Sequence, residues 1–186
     1  MNRDPICMKN DMLKTLYSKK DLEQTVARLG KEITEDYKGK TPVMVAVLRG
    51  AFIFMADLVR AMEIPCTVDF MVVSSYGSGT ATTGEVNIKK DLGRPVNGRD
   101  VIIVEDIVDS GVTLSSLKKW MDSKGVASLR ICSLLDKPAR RRVPLSVDYS
   151  CFEIPDAFVV GYGLDYAERY RNLPDIGVLS PRIYEK

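Results

Sequence analysis

The sequence contains no histidine. Catalysis by a Ser-His or Cys-His pair is therefore excluded, as is every metal site built on imidazole. A general base must then be a carboxylate, a lysine, a tyrosine or a cysteine. A metal ion held through oxygen ligands should be a hard ion, magnesium before others.

Cysteine is scarce, and its spacing is uninformative for chemistry. Cys7, Cys66, Cys132 and Cys151 are far apart, and none of them belongs to a Cys-x-x-Cys pair. Structural zinc and dithiol redox chemistry are therefore not indicated. We expect reduced thiols, as in a cytoplasmic protein.

The chain also lacks a strong charge bias and long apolar runs. A net charge of +2 gives no electrostatic signature of nucleic acid or membrane binding. No apolar run approaches the ~20 residues that span a bilayer. The first residues do not resemble a signal peptide, so a cytoplasmic location is expected. A length of 186 residues favours one domain over residues 1–186.

Strand-like and helix-like segments alternate along the chain. Apolar runs predict strands over 43–48, 66–75, 101–105 and 127–135, with short strands near 147–152 and 157–161. Helical spacing predicts helices over about 22–37, from about 51 to 62, and over 112–124. This order is typical of an α/β fold with a doubly wound, mostly parallel sheet. Ligands of such sheets bind outside the carboxyl ends of the strands, where the turns 49–51, 105–113 and 135–137 fall.

Residues 101–114 carry the strongest functional signal. The β-branched run 101–104 predicts a buried strand, and it is followed directly by Glu105 and Asp106. Two carboxylates there are costly unless they meet a cation or hydrogen-bond donors. The turn 109–113 is rich in hydroxyls and leads into a helix, whose free N–H groups suit a phosphate. A sugar phosphate with magnesium satisfies both features.

This segment resembles the phosphoribosyl-diphosphate (PRPP) signature of type I phosphoribosyltransferases. Further segments are similar to the branch that acts on hypoxanthine and guanine: Leu48-Arg49-Gly50-Ala51, Ser75-Tyr76, Leu135-Asp136-Lys137, and Phe152 to Asp156 continuing through Arg171. The resemblance covers roughly residues 12–180 in the expected order. It implies a core of about 18–144 and a small hood formed by 1–17 and 145–186.

The resemblance implies a role for each residue of the signature. Glu105 and Asp106 would hold the ribose hydroxyls and a magnesium ion. Asp109 would act as general acid/base near purine N7, although Asp is also a common helix N-cap. The 5′-phosphate would be bound by Ser110, Gly111, Val112, Thr113 and Leu114.

A second group of residues is expected to bind pyrophosphate. Arg49-Gly50 would bind it through backbone N–H groups, and in similar enzymes this peptide can be cis. Lysine often stands where this chain has Arg49. Arg171, Ser75 and Tyr76 are assigned to the same ligand, and the glycine-rich loop 75–85 resembles a lid that excludes water.

A third group would bind the purine. Lys137 would donate to O6, the exocyclic oxygen of the base, which its ammonium group can recognise as an acceptor. Phe158 would stack on the base, and Val159 would read the base edge through its backbone. Asp165 would ligate a second magnesium or a water near pyrophosphate, and could reach the N2 region through its carbonyl. The run 140–142 of arginines is interpreted as solvated charge or a subunit contact.

The resemblance thus implies a purine-salvage transferase that condenses hypoxanthine or guanine with PRPP to give IMP or GMP and pyrophosphate. Magnesium is the expected cofactor, and a homodimer or homotetramer is the expected assembly. Two alternatives stay open: a phosphoribosyltransferase for xanthine or adenine, and a regulator that senses PRPP or nucleotides without catalysis. The presence of Asp109, Lys137 and Arg171 argues against a pure sensor.

Overall fold

The computed structural model describes residues 8–75 and 86–185. Its strands are β1 (Met12–Tyr17), β2 (Val43–Leu48), β3 (Thr67–Ser75), β4 (Val86–Lys90), β5 (Asp100–Val108), β6 (Ser128–Asp136), β7 (Tyr149–Glu153), β8 (Val159–Val160) and β9 (Ile176–Leu179). Its helices are α1 (Lys19–Asp36), α2 (Phe52–Ala61), α3 (Val112–Ser123) and α4 (Pro181–Tyr184), with a 3-10 turn at Pro138–Arg140.

The larger sheet has the strand order β4-β3-β2-β5-β6-β7. Its pairings are parallel except that of β4 with β3, which is antiparallel. The central strands β2 and β5 are buried on both faces, as their continuous apolar runs predict. This arrangement confirms the predicted doubly wound, mostly parallel α/β fold.

Alternate residues of the central strands enter two hydrophobic cores. Met44, Ile102 and Val104 pack with α1 and α2 on one face. Val45 and Ile103 pack with α3 on the other face. Successive side chains of a strand point to opposite faces of the sheet. The assignment of the apolar run therefore also indicates the face on which the residues of β5 after Val104 lie.

Helix α1 begins three residues before its first buried leucine. Ser18 caps it, accepting from the Asp21 N–H, while the Asp21 carboxylate accepts from the Ser18 N–H at 2.9 Å. The helix buries Leu22, Val26 and Ile33 against the sheet, so the predicted stripe is confirmed. Apolar spacing alone predicts a later start, because the capping box that begins the helix consists of polar residues.

A smaller sheet, β1-β9-β8, forms beside the large one from the two ends of the described chain. One strand of the predicted hood segment 145–186 lies elsewhere, because β7 pairs in parallel with β6 in the large sheet. Tyr149 is buried in the core there, which gives that strand a better place to bury its apolar side. Phe152 of β7 stacks on Tyr17 of β1 at a centroid distance of 3.8 Å, joining the two sheets. The division of the single domain into core and hood otherwise stays a prediction.

Within 8–75 and 86–185, none of the helices combines the length and apolar character that a bilayer crossing requires.

Candidate active site

Three turns meet at the carboxyl edge of the parallel strands. One follows β2 at Arg49–Gly50, one follows β5 at 109–111, and one follows β6 at Lys137. The pairing of β5 with β6 in parallel, with Val108 opposite Asp136, brings the last two together. The Lys137 N–H donates to the Val108 carbonyl at 2.9 Å. The predicted phosphate and purine residues are therefore adjacent in space.

Strand β5 continues through Val108, three residues beyond its predicted end. Ile107 pairs with Leu135 and extends the ladder, so Glu105 and Asp106 lie inside the strand and not after it. Consecutive strand residues face opposite sides of a sheet. Glu105 therefore lies on the α3 face and Asp106 on the α2 face, and the two carboxylates do not form one group at the strand end.

A small cleft of 130 Å³ lies over the end of β5 and the start of α3. It is lined by Glu105, Ile107, Val108, Asp109, Ser110, Gly111, Thr113 and Leu114. Val112 lies between them, and its N–H donates to the Ser110 hydroxyl oxygen at 3.4 Å. A cleft at a helix N-terminus, walled by small and hydroxyl residues, suits a phosphate.

Gly111 is the N-cap residue of α3 and gives the cleft its shape. Its φ of 77° lies in the left-handed region, which favours glycine. A Cβ there would also lie 3.0 Å from Cδ of Arg141. Since Gly111 caps the helix without a side-chain bond, the alternative role of Asp109 as the N-cap is not observed.

The Asp109 carboxylate meets an arginine. Its Oδ1 lies 2.8 Å from Nε of Arg140, and Nη1 of Arg140 donates to Oδ1 of Asp156 at 3.0 Å. Oδ1 of Asp109 is itself shielded from solvent, although its side chain as a whole is 42% exposed. The carboxylate lines the cleft, and a general acid or base must lie within such reach of a bound ligand.

The turn after β2 packs directly on Asp106. A Cβ on Gly50 would overlap the Asp106 carboxylate, so only glycine fits here. On the other side, a Cβ on Gly163 would overlap the Gly50 carbonyl oxygen. The cis peptide bond is Leu48–Arg49, one bond before the Arg49–Gly50 bond that the sequence singled out.

The 161–171 turn completes this side of the site. Nη1 of Arg171 donates to the Gly163 carbonyl at 2.8 Å, and Nη2 lies 2.9 Å from Oδ1 of Asp165. Nε of Arg171 is buried without a hydrogen-bond partner, which leaves one donor for a ligand. The exposed Arg49 side chain pairs with Glu168 at 2.8 Å. Arg49, Gly50, Asp106, Asp165 and Arg171 thus lie in one cluster. That these residues bind pyrophosphate or a metal ion stays a prediction.

Burial disfavours the charge of both carboxylates of β5. Burial, with a smaller contribution from neighbouring Asp106, raises the pKa of Glu105 well above its ordinary value. Burial raises the pKa of Asp106 to about 6, while Arg171 opposes the shift and Asp165 adds to it. A cation or a set of donors would relieve this cost.

Replacing Asp106 with asparagine is therefore expected to stabilise the ligand-free protein at neutral pH. The pKa of Asp106 in the folded protein, about 6, exceeds the ordinary 3.8. The free-energy cost of burying the ionised carboxylate is therefore absent below about pH 4 and complete above pH 6. The gain should be about 1–3 kcal/mol at pH 7.5, or a few degrees in Tm, and should vanish near pH 4. Thermal unfolding at both pH values measures it. An equal change at both would contradict it, and Asp122→Asn, at an exposed acid of α3, is the control.

Lys137 is buried, with 6% of its surface exposed. Its ammonium group donates to the Ala157 carbonyl at 2.7 Å and lies 3.7 Å from Oδ1 of Asp156. A buried ammonium that keeps two further protons to donate is suited to read an oxygen acceptor. Its burial shows that Lys137 is not an ordinary solvated surface lysine.

The residues assigned to the base follow in the hood. Phe158 is 39% exposed, and its ring stacks on Tyr184 at 4.9 Å and meets the edge of Tyr166 at 5.6 Å. An aromatic ring held by two others while partly open to solvent can stack on a planar base. Val159 is buried and pairs with Val178 of β9, so its side chain is not available to a ligand.

The interpretation of residues 140–142 as solvated charge or a subunit contact is wrong for Arg141, whose side chain is 16% exposed. Arg140 is exposed, as predicted, but it also forms an ion pair. Arg140 contacts Asp109, and Arg141 binds the backbone of the same residue. Asp156 was also missed as a site residue, although it contacts both Lys137 and Arg140. The sequence did contain a sign of the contacts made by Arg140 and Arg141, because both arginines follow Lys137 within four residues.

Two predictions concern residues that the structure does not describe. Tyr76 and the loop to residue 85 lie outside the described ranges, so the lid stays a prediction. Ser75 is the last residue of β3 and pairs with Val86 of β4 at the start of that loop.

The described part of the chain contains no cluster of three or more Cys, Asp or Glu side chains that could enclose a metal ion. The acidic oxygens are instead dispersed over Glu105, Asp106 and Asp165. Such a set fits magnesium, which keeps several waters and shares its remaining ligands with substrate phosphates.

A family model for the phosphoribosyl transferase domain matches residues 12–167. Since this is most of the chain, the protein belongs to the phosphoribosyltransferase family. It is 51% identical to the hypoxanthine-guanine phosphoribosyltransferase of Bacillus subtilis over 178 residues, which are 96% of this chain and 99% of that one. It is 48% identical to the Streptococcus pneumoniae enzyme of the same name, over 95% of this chain and 98% of that one.

Solved structures agree with the relatives. A crystal structure of a hypoxanthine phosphoribosyltransferase from Staphylococcus aureus superposes with a TM-score of 0.94, at 46% identity, over all of both chains. The resemblance on which the sequence analysis relied is therefore confirmed at the level of the family and of its 6-oxopurine branch.

Proposed function

We propose that this protein transfers the 5-phosphoribosyl group of PRPP to hypoxanthine or guanine in purine salvage, giving IMP or GMP and pyrophosphate. The observation that carries the proposal is the junction of β5 and β6. There, Val108 lines the phosphate cleft, and its carbonyl accepts a hydrogen bond from the backbone N–H of Lys137. This bond places the residue with the buried ammonium group directly beside the cleft. A purine nucleoside monophosphate carries both a phosphate and a base, and this junction offers a polar group for each. Relatives with the same printed activity, similar along nearly the whole chain, support the assignment.

The chain's own residues divide the work by position. The N–H groups and hydroxyls of 110–114 bind the 5′-phosphate, and Lys137 donates to O6 of the base. Asp109 exchanges the purine proton as the N9–C1′ bond forms. Arg171, with its free Nε, and the backbone of Arg49–Gly50 bind pyrophosphate. Fixing two substrates in one orientation is itself a large contribution to such a reaction.

Magnesium is the proposed cofactor. Asp106 would hold it beside Arg171, with Asp165 near pyrophosphate. Glu105, which lies on the opposite face of β5, would contact the ribose hydroxyls and reach the ion through water. The oxygen donor set and the absence of histidine favour a hard cation. When bound, the ion neutralises charge on the pyrophosphate. Its charge would also lower the cost that burial imposes on the carboxylates of β5.

The direct test is an ultraviolet assay of each purine with PRPP and magnesium. Conversion of hypoxanthine and guanine is expected, with release of pyrophosphate. Preferred conversion of xanthine or adenine would support another base specificity. PRPP binding without turnover of any base would support the sensing regulator instead.

Metal removal gives a further expected result. Transferase activity should disappear in EDTA and return with magnesium or manganese, whereas zinc should replace them poorly because the site offers oxygen ligands only. The assay is run in metal-free buffer with each ion added back. Full activity in rigorously metal-free buffer would contradict the proposed cofactor.

A dimeric or tetrameric assembly and a cytoplasmic location stay predictions. Sedimentation of the purified protein tests the first.

A further inference from the structure

Arg141 joins the two loops that carry Asp109 and Lys137. Its Nη1 donates to the Asp109 carbonyl at 2.7 Å, and its Nη2 pairs with the Asp136 carboxylate. Asp136 immediately precedes Lys137 at the end of β6. One guanidinium group therefore connects the backbone of Asp109, the proposed general base, to the residue that precedes Lys137.

The Arg141–Asp136 contact is largely shielded from solvent, unlike the Arg140–Asp109 ion pair beside it. The side chains of Arg141 and Asp136 are 16% and 14% exposed, whereas those of Arg140 and Asp109 are 45% and 42% exposed. Solvent screens exposed pairs strongly and buried ones weakly. A two-pronged guanidinium bond with little exposure also fixes direction, which a single ammonium bond does not.

The aliphatic part of Arg141 also shapes the phosphate cleft. Its Cδ lies 3.0 Å from the position that a Cβ on Gly111 would occupy, so it packs closely on the turn. Movement of Arg141 would therefore displace the peptides at 109–111 and, through them, the Asp109 carboxylate. Displacements near 1 Å can cost about 10²-fold in rate.

We infer that Arg141 is a positioning residue, which sets the Asp109 carboxylate relative to the purine held by Lys137. It touches no reacting atom and acts through Asp109. This inference rests on the proposed function, since it assigns a partner to the proposed base of that reaction.

A double-mutant cycle tests whether Arg141 acts through Asp109. Arg141→Lys keeps the charge and can still pair with Asp136, but a single ammonium group cannot also hold the Asp109 carbonyl. Its kcat for hypoxanthine should fall about 10- to 100-fold in the unmodified background. It should fall less than about twofold when Asp109 is already asparagine, because the group to be positioned is gone.

The matched control is Arg142→Met, at the neighbouring exposed arginine, compared with Arg141→Met. Arg142→Met should leave kcat within about twofold, and Arg141→Met should lower it at least as much as Arg141→Lys. Equal losses for Arg141→Lys in both backgrounds would mean a general structural role and would overturn the inference, as would an unchanged kcat.

A second measurement does not depend on activity. Amide hydrogen exchange of residues 109–111 should be faster in Arg141→Lys and unchanged in Arg142→Met, because only the former releases the turn. Unchanged exchange in Arg141→Lys would overturn the inference. An unmodified protein without transferase activity would instead contradict the proposed function, and the exchange data would still decide whether Arg141 restrains the turn.

Discussion

Asp109→Asn is expected to lower kcat for hypoxanthine by ~10²-fold, within the usual contribution of a positioned acid or base. Asparagine has nearly the same size but cannot exchange the purine proton. The dissociation constant for PRPP with magnesium should change little, because asparagine keeps the shape of the Asp109 side chain in the cleft and the hydroxyl groups there belong to Ser110 and Thr113. Initial rates and titration calorimetry measure the two quantities on the same preparation.

The fold should tolerate this substitution. The ion pair of Asp109 with Arg140 is nearly half exposed on both sides, and such pairs contribute little to stability. Asp122→Asn, at an exposed acid of α3, controls for loss of a carboxylate elsewhere. An unchanged kcat with weakened PRPP binding would show that Asp109 serves only the phosphate turn.

The largest expected effect concerns the choice of base. Hypoxanthine and guanine present an oxygen at position 6, which can accept from Lys137. Adenine presents an amino group there, so donor would face donor beside a buried ammonium group. Sites built on such a hydrogen bond discriminate by roughly 10⁴-fold. The ratio of kcat/KM for hypoxanthine to that for adenine measures this, and efficient use of adenine would contradict the 6-oxopurine assignment.

Lys137→Ala tests the same contact by changing the protein instead of the base. It should damage turnover of hypoxanthine and guanine while PRPP binding stays intact, since the ammonium group lies on the purine side of the junction. Lys119→Ala, at an exposed lysine of α3, is the control. Normal hypoxanthine kinetics in Lys137→Ala would remove Lys137 from base recognition and leave the phosphoribosyltransferase family assignment unaffected.

Much of this architecture could be predicted from local patterns. The apolar run 43–48 matches β2 at both ends, because a strand buried on both faces needs unbroken apolar residues. The turn at 109–113 was identified as a phosphate cradle since a glycine and hydroxyl residues before a helix are a local arrangement. The cleft over that turn agrees with the prediction.

The errors have a common cause. β5 extends through Glu105 and Asp106 because Ile107 and Val108 complete its ladder with β6, and a partner strand is not visible in a local pattern. β7 joined the large sheet for the same reason. A run of arginines usually indicates solvated charge, and only the packing of the segment after β6 against Asp109 shows that Arg141 is largely shielded from solvent.

The sequence by itself determined the fold class, the phosphate turn, the oxygen-only chemistry that follows from a chain without histidine, and the family to which it belongs. Only the tertiary structure decided on which face of the sheet each carboxylate of β5 lies, that Gly50 packs on Asp106 and Gly163 on Gly50, and that Arg141 connects Asp109 to Asp136. The physical reason is the distance along the chain over which each kind of interaction acts. Backbone preferences and apolar periodicity act over a few neighbouring residues, whereas burial and ion pairing depend on groups that only the folded chain brings together.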